Sequence, residues 1–157
     1  MMKALIRALI AASGILPLLA GAESDTVAPK LEGHLRVTDH CSVDLDLGQS
    51  ECMVILDGDG TESPGYPPNK KADFRVELDG AQIYFRPVHG AEISRCGGAG
   101  LNAATGAKYA RRRLRVDDLP SGSHICIRTN EGRYGQLTIN KLTKPPLDSI
   151  ELTYLVW

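Results

Sequence analysis

The sequence predicts an all-β protein, built as an antiparallel sandwich or small barrel of about nine strands with two disulfides. Apolar and polar residues alternate through most of the chain after residue 30, which is typical of strands with one buried face. Turn-forming residues recur about every 8 to 12 positions, as in sandwiches and barrels. Hardly any segment has the periodicity of an amphipathic helix.

The clearest strand lies at residues 72–79, where four apolar residues alternate with four charged ones. Asp79 and Gly80 then favour a tight turn. Ile83 and Phe85 resume the alternation, so we predict a hairpin whose return strand ends at Pro87. Three shorter strands are expected upstream, at residues 31–37, 43–47 and 52–56.

The second half of the chain predicts one more hairpin and a closing strand. The alternating segments are residues 113–116, 125–128, 134–139 and 149–157. The turn at residues 130–132 joins the two strands of this hairpin. Residues 97–110 are rich in Ala and Gly, and we interpret them as a long loop held by Cys96, with a short helix as the alternative. Residues 58–71 contain three prolines and are expected to form a second loop.

The first 22 residues have the order of a secretory signal peptide. Lys3 and Arg7 give a basic start, residues 8–19 are mostly apolar, and Ala20-Gly21-Ala22 offers small side chains to the signal peptidase. We therefore expect a signal peptide at residues 1–22 and a single secreted β domain at residues 23–157. The predicted location is secreted or periplasmic, with no membrane anchor in the mature form.

The chain has four cysteines: Cys41, Cys52, Cys96 and Cys126. An even number in an exported protein is expected to be oxidised, so two disulfides are predicted. Three connectivities are possible. We favour Cys41 with Cys52 and Cys96 with Cys126, because the first two flank a short segment that an antiparallel return would close.

The charged residues are unevenly distributed. The whole chain carries a net charge of −1, from 18 basic and 19 acidic residues, and loss of Lys3 and Arg7 with the signal makes it −3. The densest basic run consists of Arg111, Arg112, Arg113 and Arg115. This stripe either binds phosphate, a polyanionic glycan or lipid head groups, or protects an edge strand from pairing; we favour protection. Export, the negative net charge and few aromatic residues argue against nucleic-acid binding.

Two acidic segments resemble oxygen-rich calcium ligands. Asp44 and Asp46 form one, and residues 57–62 form the other. The second does not follow the EF-hand pattern, because Thr61 stands at its fifth position and no Glu stands at its twelfth. Aspartate–glycine pairs also favour turns without a metal. The four histidines and four cysteines show no zinc-ligand spacing, so we predict no metal.

No sequence motif indicates catalysis. The GxSxG, HExxH, P-loop and dinucleotide-binding patterns are all missing from the sequence. A cysteine nucleophile would need a free thiolate, which disulfide formation removes. We therefore predict no catalytic residues and no cofactor.

The run Cys126-Ile127-Arg128-Thr129 and the turn Glu131-Gly132-Arg133-Tyr134 resemble a hairpin common in uncharacterised bacterial secreted proteins. Residues 43–48 and 72–74 are similar to other segments of that group, in the same order. The resemblance implies a compact β module, often attached to exported proteins, and no catalytic residues. Within the hairpin, the guanidinium groups of Arg128 and Arg133 are expected to bind loop carbonyls or an acid such as Asp44, or else to capture a ligand.

These observations predict a non-enzymatic, disulfide-stabilised β module that acts outside the cytoplasm. Its expected partner is a protein or an anionic envelope glycan. The alternative is a small secreted enzyme inhibitor, since exported β domains with two disulfides can block hydrolases. A secreted hydrolase is the less favoured alternative, because no catalytic motif supports it.

Overall fold

A computed structural model describes residues 27–52, 70–143 and 149–157. The predicted signal peptide and the acidic segment at residues 57–62 lie outside the described residues. The described chain contains ten strands and one short helix. In chain order these are β1 (Leu31–Thr38), β2 (Cys41–Asp44), β3 (Gln49–Cys52), β4 (Phe74–Asp79), β5 (Gln82–Pro87), β6 (Glu92–Arg95), α1 (Leu101–Thr105), β7 (Leu114–Arg115), β8 (His124–Arg128), β9 (Tyr134–Thr143) and β10 (Ser149–Val156).

The strands form two five-stranded antiparallel sheets. One has the order β1-β10-β9-β8-β6 and the other has the order β3-β2-β4-β5-β7. A single apolar core contains residues from both, among them Val43 and Phe85 from the second sheet and Leu137 and Leu152 from the first. The prediction of an all-β fold is confirmed, and the two separate sheets form a sandwich, not a closed barrel.

The C-terminal strand β10 lies between β1 and β9 and carries much of this core. Ile150, Leu152, Tyr154 and Val156 are buried on one face, as the alternation predicts. Tyr154 comes so close to Gly48 that a Cβ there would collide with its hydroxyl group. Gly48 also has a φ of +63°, so both its conformation and its lack of a side chain are needed at this turn.

Both predicted hairpins are confirmed. β4 and β5 pair from Asp79 opposite Gln82, with Gly80 at a positive φ of 62°, and β5 ends at Pro87. β8 and β9 pair across the turn that contains Gly132, where φ is 83°. These turns need φ values that glycine adopts without strain, which is why the sequence located them correctly.

Four details of the prediction differ from the structure. The strand expected at residues 52–56 is replaced by β3 at Gln49–Cys52, and residues 53–56 lie outside the described residues. The strand expected at residues 43–47 is observed as β2, which ends at Asp44. The chain turns there because the Asp44 carboxylate accepts a hydrogen bond from the backbone N–H of Leu47 at 3.1 Å. The four-residue strand β6 was missed, since it is too short to show alternation. Residues 97–110 contain a one-turn helix, α1, where a loop was favoured.

The predicted disulfide between Cys96 and Cys126 is present, with the Cα atoms 5.2 Å apart. It holds the segment containing α1 against the first sheet, as expected for the role of Cys96. Backbone register places Cys41 opposite Cys52 in the β2–β3 pair, but the structure describes only the backbone of Cys52. The described structure therefore supports one disulfide, and the second remains a prediction.

Candidate binding cleft

The four clustered arginines lie on the exposed stretch that leads into β7, at the edge of the second sheet. Three of them are paired with carboxylates: Arg111 with Glu92 at 3.4 Å, Arg113 with Asp79 at 2.9 Å, and Arg115 with Asp117 at 2.8 Å. Arg112 has no ion pair with any described residue. The run is therefore not a uniform stripe of free cations, and its members have different roles.

Arg113 and Arg115 stabilise the local structure around Tyr84 on the neighbouring strand β5. The guanidinium of Arg113 lies 4.0 Å from the centre of the Tyr84 ring, and Arg115 lies opposite Tyr84 in the register. Asp117 accepts hydrogen bonds from both Arg115 and the backbone N–H of Ile83. Both hydrogen bonds lower the pKa of Asp117, and the bond from Arg115 has the larger effect.

A cleft of about 290 Å³ opens between β6 and the stretch before β7. Hydrogen bonds between the backbones of Ile93 and Ala110, at 2.9 and 3.1 Å, bring these two segments together. The cleft is lined by Ile93, Ser94, Arg95, Lys108, Ala110, Arg112, Arg113 and Leu114. Four of the lining residues are cationic and none is acidic.

The four cations of this cleft differ in how firmly they are held. Arg95 donates to both carboxylate oxygens of Asp118, at 3.2 and 3.3 Å, and Arg113 is fixed by Asp79. Lys108 and Arg112 are exposed and have no ion pair within the described chain. Arg95 and Lys108 were missed in the sequence, because neither lies in the arginine run and only the fold brings them beside it.

A second cleft of about 360 Å³ is also lined by Arg95. Its lining comes from the glycine-rich segment after β6 and from the chain before β8, and includes Ser123 and His124. The His124 ring nitrogen Nδ1 lies 3.0 Å from Thr138 Oγ1, so that nitrogen has a partner within the protein. Arg95 is therefore shared by the linings of both clefts.

Arg128 and Arg133 lie outside the cleft. Arg128 is 3.9 Å from Glu92. Arg133 contacts Glu131 at 3.1 Å and Asp46 at 3.3 Å. Loop carbonyls, an acid such as Asp44, or a ligand were expected as partners of these arginines, and the acids that Arg133 contacts in the fold are Glu131 and Asp46.

The cleft is suited chemically to binding anions. Guanidinium and ammonium groups donate charge-assisted hydrogen bonds to carboxylate, phosphate and sulfate oxygens. The hydroxyl of Ser94, also in the lining, donates to the backbone carbonyl of Arg95 at 3.2 Å. The fold and this site together define an antiparallel two-sheet β protein with a cation-lined cleft.

No protein family and no curated protein matches the sequence. Among solved structures, the chain is similar to that titled "Crystal structure of Tannerella forsythia Apo HmuY analog (TFO)", with a TM-score of 0.46 and 12% sequence identity. The match covers 80% of this chain and 95% of that chain. A likeness of this size carries no inference about ligand or function. No helix within the described residues is long and apolar enough to cross a membrane.

Proposed function

We propose that the protein is an exported, non-enzymatic β module that binds an anionic protein or envelope glycan through the cation-lined cleft. The observation that carries this proposal is the convergence of Arg95, Lys108, Arg112 and Arg113 on one cleft with no acid in its lining. Cations brought together from separate segments of the chain produce a local positive field on a protein of negative net charge.

The two unpaired cations are the best placed to bind a partner. Lys108 and Arg112 give up no ion pair within the described chain when an anion arrives. Arg95 and Arg113 are already oriented by Asp118 and Asp79, so less side-chain entropy is lost when they bind. The proposal therefore assigns the main charge interactions to Lys108 and Arg112, and additional pre-oriented hydrogen-bond donors to Arg95 and Arg113.

Replacing Lys108 and Arg112 together with Gln is expected to weaken anion binding without unfolding the protein. Both side chains are exposed, and exposed charges contribute little to stability. On a column of immobilised heparin, a polysulfated glycan used as the probe, the variant should elute at lower salt than the wild type, because fewer counterions are released on binding. Its Tm should change by less than about 2 °C.

The matched control replaces Lys70 and Lys141 with Gln, which removes the same charge from exposed positions outside the cleft. This control should elute close to the wild type. Equal losses in the two variants would contradict the cleft as the binding site, because they would show an effect of net charge alone. Capture of partners from an envelope extract with the same three proteins then tests whether the natural partner uses the cleft.

Export and oxidation are part of the same proposal and have their own test. A disulfide is expected to form and persist in an oxidising compartment, and Cys96–Cys126 is such a bond. The exported protein should have the mass of residues 23–157 less four hydrogens, and peptide mapping should link Cys41 to Cys52 as well. A retained Met1 would contradict export, and an alkylatable thiol in the native protein would contradict the second disulfide.

A further inference from the structure

Three aspartates from separate parts of the second sheet converge below the surface. Asp44 ends β2, Asp46 lies in the following turn, and Asp73 immediately precedes β4. One carboxylate oxygen from each lies within 4.8 Å of the others. Asp44 and Asp73 are 2% and 0% exposed, and the side chain of Asp46 is 3% exposed. The cluster is thus a buried feature and not a group of solvated surface acids.

Backbone hydrogen bonds fix two of these carboxylates. Asp73 accepts from the N–H groups of Leu45 and Asn130, each at 2.8 Å, and Asp44 accepts from Leu47 at 3.1 Å. Each carboxylate oxygen has two lone pairs, so an oxygen that accepts one N–H can still bind a second group. These carboxylates are therefore held in place and still able to act as ligands.

Asp46 provides an independent indication that a ligand belongs in the cluster. Both its carboxylate oxygens are buried, and neither accepts a hydrogen bond from any described residue. Its cationic partner is the Arg133 guanidinium, 3.3 Å from Oδ1. Buried carboxylates are normally well supplied with donors or bound to a metal ion, and this one is poorly supplied.

The charges of the cluster do not balance within the described residues. Three ionised carboxylates face one guanidinium, which leaves two negative charges in a buried site. A divalent cation has the charge that balances three ionised carboxylates and one guanidinium.

We propose that Asp44, Asp46 and Asp73 form a calcium site. Calcium binds oxygen ligands at about 2.3 to 2.6 Å, so two ligands of one ion lie at most about 5 Å apart. The three carboxylate oxygens lie within 4.8 Å of one another, which meets this condition. The donors are all hard oxygens, which zinc does not favour in proteins. Calcium accepts irregular coordination by monodentate and bidentate carboxylates, whereas magnesium requires a nearly ideal octahedron, so three carboxylates fixed by the fold favour calcium. The site is separate from the cation-lined cleft and does not depend on its function.

This proposal departs from the expectation of no metal. The sequence offered Asp44 and Asp46 as one candidate set of oxygen ligands and residues 57–62 as another. The third carboxylate, Asp73, was interpreted as part of a solvated strand face. Only the pairing of β2 with β4, and the N–H of Leu45 bound to Asp73, bring it into the cluster.

Calorimetric titration of the chelator-treated mature protein with CaCl₂ at pH 7.5 tests the site directly. We expect binding of one calcium ion with a Kd of about 10⁻⁴ to 10⁻³ M, the range of extracellular modules. A concentration of 10 mM calcium should raise the Tm by about 5 °C or more, and MgCl₂ should raise it much less. The absence of both heat and a Tm change up to 10 mM calcium would overturn the proposal.

Asp46→Asn is the diagnostic variant, because the amide preserves the shape of the side chain and removes its charge. Calcium affinity should fall at least tenfold in this variant. Glu32→Gln, which removes an exposed charge on β1, should bind like the wild type. Equal affinity losses in the two variants would also overturn the proposal. The wild-type titration decides the proposal even if Asp46→Asn does not fold.

Discussion

Replacing both Cys96 and Cys126 with alanine is expected to lower the free energy of unfolding by about 3 to 4 kcal/mol, since the disulfide closes a long loop in the unfolded chain. The two cysteines are 30 positions apart. Native contacts around Cys96 would weaken as well, because Gln136 donates to both Cys96 Sγ and the Gly98 carbonyl. Urea unfolding of the variant and the wild type measures the difference.

Gln136→Ala provides the comparison for this experiment. It removes the hydrogen bonds that hold residues 98–100 but leaves the covalent link, so it reports the native contacts alone. We expect it to cost about 1 to 3 kcal/mol. A loss below about 1 kcal/mol in the double-cysteine variant would contradict an important role of the disulfide in stability. The segment carrying α1 would then be held by its side-chain contacts.

In chelated solution, the protein is expected to lose stability as the pH rises from about 4 to 8. The pKa of Asp73 is raised from 3.8 to about 7, mainly by burial, so across this range the folded state binds more protons than the unfolded state. The contribution is fully present below the unfolded pKa and is lost as the pH passes the folded pKa. A shift of this size corresponds to a loss on the order of 4 kcal/mol. Asp46, whose pKa is also raised, acts in the same direction.

Asp73→Asn tests whether this residue is responsible. The amide does not titrate, so the decline in stability between pH 4 and 8 should become shallower in the variant. At pH 5 the variant should be less stable than the wild type by about 1 to 3 kcal/mol, because the amide leaves one of the backbone N–H groups of Leu45 and Asn130 without its acceptor. Wild-type stability that rises from pH 5 to 7 in chelator would contradict the assignment.

The sequence by itself determined the features that depend on neighbours along the chain. Alternation identified the strands whose buried faces form the core, as in β10, where four apolar residues point inward. Gly80 and Gly132 marked the two hairpins because their turns require positive φ. The bond between Cys96 and Cys126 was favoured because pairing Cys41 with Cys52 leaves these two cysteines for each other, and it is present.

Only the tertiary structure decided which charged residues meet. Arg95 and Lys108 join Arg112 in one cleft because the backbones of Ile93 and Ala110 pair. Asp73 alternates with buried Phe74, which in sequence indicates an exposed side chain, yet it is fully buried. Strand alternation specifies the side of a sheet on which a residue lies but not what covers that side. Electrostatic partners are brought together by long-range register, so sites made from them become visible only after the chain has folded.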